Sequence, residues 1–127
     1  AADDVAEALR ACAVPFGVSG VAQAAALAAL TVEEELQARV HQIVQARSRV
    51  TAALRAQGWE TPDSQANFVW LRTGGETQAF AAYCDAQGLA VRPYGDEGVR
   101  ITVGDTEADD VFIRIAAEWI RERSERA

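Results

Sequence analysis

Residues 88–104 read Gly-Leu-Ala-Val-Arg-Pro-Tyr-Gly-Asp-Glu-Gly-Val-Arg-Ile-Thr-Val-Gly. Two short β-prone runs, Leu89–Arg92 and Val99–Val103, flank a loop of turn-formers from Pro93 to Gly98. The spacing predicts a hairpin. Each run carries one arginine, Arg92 and Arg100, and a hairpin of this length brings the two guanidiniums into one neighbourhood. In the second run Arg100 stands between Val99 and Ile101, so alternation turns it away from the apolar face. Two readings of the pair stay open at this level. The arginines lie at a sheet edge and pair with Asp96 or Glu97, or they face a cleft and hold an anion. Planar bidentate donors are what a carboxylate requires.

Working outward, "NFVWLR" at 67–72 reads as a further strand, closed by Gly74-Gly75. A helix is expected over Thr77–Gln87, with Phe80, Tyr83 and Cys84 on one side and Gly88 as its stop. After the hairpin, Thr106-Glu-Ala-Asp109 has capping-box form and opens a final helix to about Arg123, anchored by Val111, Ile115, Trp119 and Ile120. Upstream, Asp3–Ala13 reads as a helix with Val5, Leu9 and Cys12 on one face. Pro15 and Gly17 break it, and Ser19 caps an alanine-rich helix to about Leu30. Thr31-Val-Glu-Glu34 is a second capping box, before a long helix to about Gln57 with Gly58 at C′. Its apolar stripe is Val32, Leu36, Val40, Ile43, Val44, Val50 and Leu54. The order is three helices followed by β-α-β-β-α, an α/β chain whose second half is a small α+β domain. Residues 1–30 are expected to form a helical piece with no sheet of its own, and 31–127 the small domain with its long connecting helix.

Composition narrows the function. The chain has 127 residues, half of them apolar, and a formal charge of −7. That acidity argues against nucleic acid as a partner. No run is apolar enough to suggest a membrane span. Cys12 and Cys84 lack CxxC spacing and read as free thiols in a cytoplasmic protein. With His41 the sole histidine, no metal site is expected. All twelve Lys/Arg positions are arginine. Without lysine the chain has no side-chain amine for a Schiff base, and no serine lies in a nucleophile-elbow setting.

Three stretches occur together and in order: "VPFGVSGVAQAAALAAL" at 14–30, "SQANFVWL" at 64–71 and "GLAVRPYGDEGVRITVG" at 88–104. Together they resemble the C-terminal part of the histidinol-phosphate aminotransferase family, which includes relatives acting on phenylalanine and other aromatic amino acids. The resemblance implies a fold type I pyridoxal-phosphate enzyme, with this chain supplying its C-terminal small domain. It implies amino transfer from an L-amino acid to a 2-oxo acid, with pyridoxal 5'-phosphate as cofactor and a homodimer as the working form. By position in the motifs, Arg100 corresponds to the arginine that binds the substrate α-carboxylate. Arg92 corresponds to the arginine at the side-chain end of the substrate, and Asn67, in "ANF", to a positioning residue or a strand-end cap. The lysine that bonds the cofactor and the groups that hold its phosphate belong to the family's preceding part, so no catalytic or cofactor-binding residue is expected in this chain. The alternative is a free-standing regulatory module that senses a small anion through Arg92 and Arg100. A plainer alternative is a helical interaction protein without a ligand.

Overall fold

The computed structural model describes residues 2–126 and divides the chain into two compact units, one ending at Leu36 and the other beginning at Gln37. The first unit holds α1 (Asp3–Cys12) and α2 (Gly20–Ala29). Asp3 and Asp4 lie in the first turn of α1, where they complement the helix dipole. The Ser19 hydroxyl accepts from the Ala22 amide and caps α2 as expected. Neither helix contains a buried residue. Val5, Leu9, Val21 and Leu27 are all exposed, Leu9 at 66% and Leu27 at 69%.

The long helix α3 runs Glu33–Ala56. Its start differs from the capping box expected at Thr31. The helix begins at Glu33, so Val32 and not Thr31 immediately precedes it, and the Thr31 hydroxyl instead donates back to the Ala28 carbonyl at 2.7 Å. The apolar stripe also divides. Val50 and Leu54 are fully buried, whereas Val32, Leu36, Val40 and Val44 are exposed. The C-terminus follows expectation: Gly58 takes φ +93°, its amide bonds the Arg55 carbonyl and the Trp59 amide bonds that of Leu54. That is a Schellman motif. A second one, at Gly88, ends α4 (Thr77–Ala86).

Three strands, β1 (Phe68–Leu71), β2 (Arg92–Tyr94) and β3 (Gly98–Thr102), form an antiparallel sheet in the order β1-β3-β2. β1 and β2 therefore run parallel with β3 between them, joined through α4 as a split β-α-β unit. β2 lies further along than the expected 89–92 run. Leu89 and Val91 pack against the core from outside the strand, and the edge position lets Pro93 pair without an amide to donate. Gly95–Glu97 form the turn.

One face of the sheet is apolar. Val69, Leu71, Val99 and Ile101 bury against Val50 and Leu54 of α3, Phe80 and Cys84 of α4, and Phe112, Ile115, Ala116 and Trp119 of α5 (Thr106–Arg126). Trp59 sits 5.5 Å from Phe80, and Phe80 5.4 Å from Trp119, between ring centroids, so an aromatic row ties α4 to α5. The α5 cap is displaced by one residue from the expected Thr106. Asp105 accepts from the Ala108 amide, and the Asp109 carboxylate reaches back to the Gly104 amide. Asp109 is only 2% exposed, and burial raises its pKa against the opposing pull of the Gly104 amide and Arg49. Burial likewise pushes the Cys84 thiol up to about 12, which leaves it an inert core residue.

Candidate functional site

The opposite face of the sheet is polar and aromatic. Alternation along three strands puts Phe68, Trp70, Arg92, Tyr94, Arg100 and Thr102 there. The register makes Arg100 the cross-strand partner of Trp70 on one side and of Arg92 on the other. The two arginines of the opening motif are thus direct neighbours. Like charges in that position are unfavourable unless something of opposite sign offsets them. Among the described residues neither arginine forms an ion pair, and the expected alternative of pairing with Asp96 or Glu97 is not realised.

The two side chains differ in setting. Arg92 is exposed, with its guanidinium carbon 5.6 Å from the Tyr94 ring centroid. Arg100 is half-buried, with its guanidinium carbon 5.4 Å from the Phe68 centroid. Both distances fall within cation–π range. The Arg100 Nε is shielded from solvent and has no hydrogen-bond partner among the described residues. Leaving such a donor unpaired costs on the order of 1–3 kcal/mol. An open cleft of about 330 Å³ lies beside the pair, lined by Leu89, Val91, Arg92, Arg100, Thr102 and Ala108 among others.

Asn67 is exposed and precedes β1. Its carbonyl accepts from the Val103 amide at 2.9 Å and extends the ladder by one bond. Its side chain makes no hydrogen bond among the described residues, so it does not cap the strand. The "SQANF" turn is built by Ser64, whose hydroxyl donates to the Phe68 carbonyl and accepts from the Ala66 amide. Arg47 of α3 donates to the Ala66 carbonyl at 2.7 Å and fixes that turn to the long helix. His41 is exposed on α3.

Reading along the sequence missed Trp70, Tyr94 and Gly98. Trp70 and Tyr94 lie 5.6 Å apart between centroids, though they stand on the two outer strands. They meet across β3 because Gly98 has no side chain. A Cβ there would lie 2.2 Å from the Leu71 carbonyl oxygen and 2.8 Å from the Trp70 ring. The signal available in the sequence was the glycine at the start of an otherwise β-branched strand.

A split β-α-β sheet covered by helices on one face, with two arginines on the other that form no ion pair among the described residues, defines a small α+β domain. The chain belongs to the aminotransferase class I and II family, whose model matches residues 1–115. Aromatic amino acid aminotransferases are among its relatives. That of Streptomyces coelicolor is 56% identical over 120 residues, covering 94% of this chain and 33% of the relative. That of Mycobacterium tuberculosis is 49% identical over 116 residues, covering 91% of this chain and 33% of the relative. The chain therefore spans about a third of the length of the curated relatives it matches. Histidinol-phosphate aminotransferase from Sinorhizobium meliloti, solved with pyridoxal-5'-phosphate, superposes with a TM-score of 0.69 at 25% identity, over 94% of this chain and 34% of that one. The expected family and the α+β small-domain fold are thereby shown. The donor set here does not fit covalent attachment of that cofactor, because the 127 residues include no lysine. No helix among the described residues is long and apolar enough to cross a membrane.

Proposed function

We propose that this chain is the C-terminal, substrate-gripping part of a pyridoxal-phosphate aminotransferase that acts on an aromatic amino acid such as phenylalanine, with a 2-oxo acid as acceptor. The observation that carries the reading is the Arg92–Arg100 pair, side by side on the sheet face away from the core with no ion-pair partner among the described residues. Arg100, the more buried of the two, takes the α-carboxylate in a two-pronged contact and fixes the direction of the Cα substituents. Arg92, at the exposed edge, meets the far end of the substrate. Asn67, exposed just before β1 with no side-chain hydrogen bond among the described residues, is the weaker positioning candidate beside them. The aromatic amino acid aminotransferases among the relatives support an aromatic donor over histidinol phosphate. When bound, pyridoxal phosphate supplies the electron sink for amino transfer, and its attachment lies with residues outside this chain. The working form is a cytoplasmic homodimer, with residues 1–30 belonging to the large domain and junction and 31–127 to the small domain.

The free-standing module is disfavoured by α1 and α2, which bury no residue, whereas a self-sufficient domain covers its apolar faces. The test is an amino-transfer assay on the longer protein that contains this chain, supplied with pyridoxal phosphate, L-phenylalanine or histidinol phosphate, and a 2-oxo acid. Phenylalanine should be the better donor. Absence of transfer from both donors, in a folded protein with bound cofactor, would end the reading. The 127-residue chain alone should be inactive.

A further inference from the structure

The side chains around Arg100 lean in two opposite directions. Trp70, its direct partner on β1, does not lie beside it. The indole crosses toward Gly98 and Tyr94, as the 2.8 Å separation between the Trp70 ring and a Cβ at Gly98 records. Arg100 leans the other way, onto the diagonal neighbour Phe68, which stands opposite Thr102. The Arg100 Nε is shielded from solvent, and the guanidinium lies over an aromatic ring without being tied to any carboxylate of the described chain. An arginine held only by an acid would arrive at the site already neutralised. One held by a ring keeps its full charge and its planar edge for a ligand.

We propose that Phe68 is a positioning residue for Arg100: its ring holds the guanidinium in the plane that receives a carboxylate, while Gly98 keeps Trp70 clear of that plane. The inference rests on the reading of Arg100 as the carboxylate contact. Phe68 touches no reacting atom. Its contribution is to limit the orientations Arg100 samples before substrate arrives, so its loss should weaken binding more than turnover.

The experiment compares wild type with Phe68→Leu, Phe68→Tyr and Arg100→Ala in the longer aminotransferase, with L-phenylalanine as the donor. Phe68→Leu should raise KM about 3- to 10-fold, the size of a cation–π contact, with kcat nearly unchanged. Phe68→Tyr keeps the ring and should restore KM to within about twofold of wild type. A second readout uses the 127-residue chain itself. The Arg100 Nε–H resonance should be displaced upfield by the ring current in wild type and Phe68→Tyr, and return to the ordinary arginine position in Phe68→Leu. Phe68 is half-buried, so the leucine variant should fold; a thermal melt checks this, and Phe68→Met, which also lacks the ring, takes its place in both readouts if it does not. If Arg100→Ala loses activity while Phe68→Leu keeps wild-type KM, the positioning role is overturned and the carboxylate role survives. If Arg100→Ala retains wild-type KM, both fall.

Discussion

Arg92 and Arg100 are cross-strand partners on adjacent strands, and neither forms an ion pair among the described residues. Two guanidiniums side by side repel, and proteins usually relieve such contacts with an intervening acid. Acids are abundant here, with 19 Asp and Glu against 12 basic residues, yet the ion pairs found lie elsewhere, at Arg49, Arg55, Arg114 and Arg123. The unrelieved pair is the electrostatic basis for reading this face as an anion site.

Arg100→Lys should therefore be far from conservative in the longer enzyme. Lysine keeps the charge but loses the planar fork and the stacking on Phe68. A lost charge-assisted contact of about 2–3 kcal/mol lowers kcat/KM roughly 30- to 150-fold. Steady-state kinetics with several amino donors check it, and near-normal kcat/KM for all of them would reduce Arg100 to a surface charge.

Arg92→Ala should act differently. Arg92 is exposed at the sheet edge, 5.6 Å from Tyr94, and on the proposed reading it meets the far end of the substrate. The variant should change the ranking of donors while sparing turnover of a small neutral one. Equal losses for every donor would assign Arg92 to the carboxylate contact or to structure.

Gly98→Ala should destabilise the chain. The added Cβ meets the Leu71 carbonyl oxygen at 2.2 Å, and backbone in a paired strand cannot yield as a flexible side chain can. Overpacking of this kind costs about 1–3 kcal/mol. For a domain of this size each kcal/mol lowers the midpoint by about 2–8 °C. A thermal melt reads the loss, and Trp70 fluorescence should shift as the indole is displaced. A melt indistinguishable from wild type would show that β1 and β3 can separate here at no cost.

Asp109 gives a pH signature. Burial raises its pKa, so the folded chain holds this proton more tightly than the unfolded one. Its contribution is favourable below the ordinary carboxylate value of about 3.9 and is lost as pH rises through the raised folded value. Asp109→Asn keeps an oxygen for the Gly104 amide and removes the buried charge, while Arg49 retains Asp110. The variant should be at least as stable as wild type at pH 7. Its advantage should shrink as pH falls below about 4, where both side chains are neutral. Urea unfolding at the two pH values measures the difference, and a clear loss of stability at pH 7 would mean that the Arg49 pair outweighs burial.

The 127-residue chain alone should self-associate. The α1 and α2 helices bury nothing, and Leu9 and Leu27 stand largely in solvent. Exposed apolar faces of this kind drive association. Sedimentation should show species larger than 13.6 kDa, and Leu27→Glu should reduce them.

Local signals of backbone chemistry were legible in the sequence. Gly58 and Gly88 ended helices because a left-handed residue at C′ favours glycine, and Ser19 capped α2 because a short hydroxyl reaches the third amide. The order of helices and strands, the face on which Arg100 stands and the proximity of the two arginines also followed from periodicity and loop length. Choices among near-equal local options did not. Asp105 took the cap expected of Thr106, because both carry an acceptor and sit one residue apart. The edge strand formed at Arg92–Tyr94 rather than Leu89–Arg92, because the core claimed Leu89 and Val91 and an edge tolerates proline. Only the tertiary structure set the register that puts Trp70, Arg100 and Arg92 in one row, and only it placed Phe68 under the guanidinium. The contacts that Trp70 and Phe68 make with the Arg100 position join residues about 30 apart in the chain. Their geometry depends on how three strands align over a shared core, which no local pattern encodes.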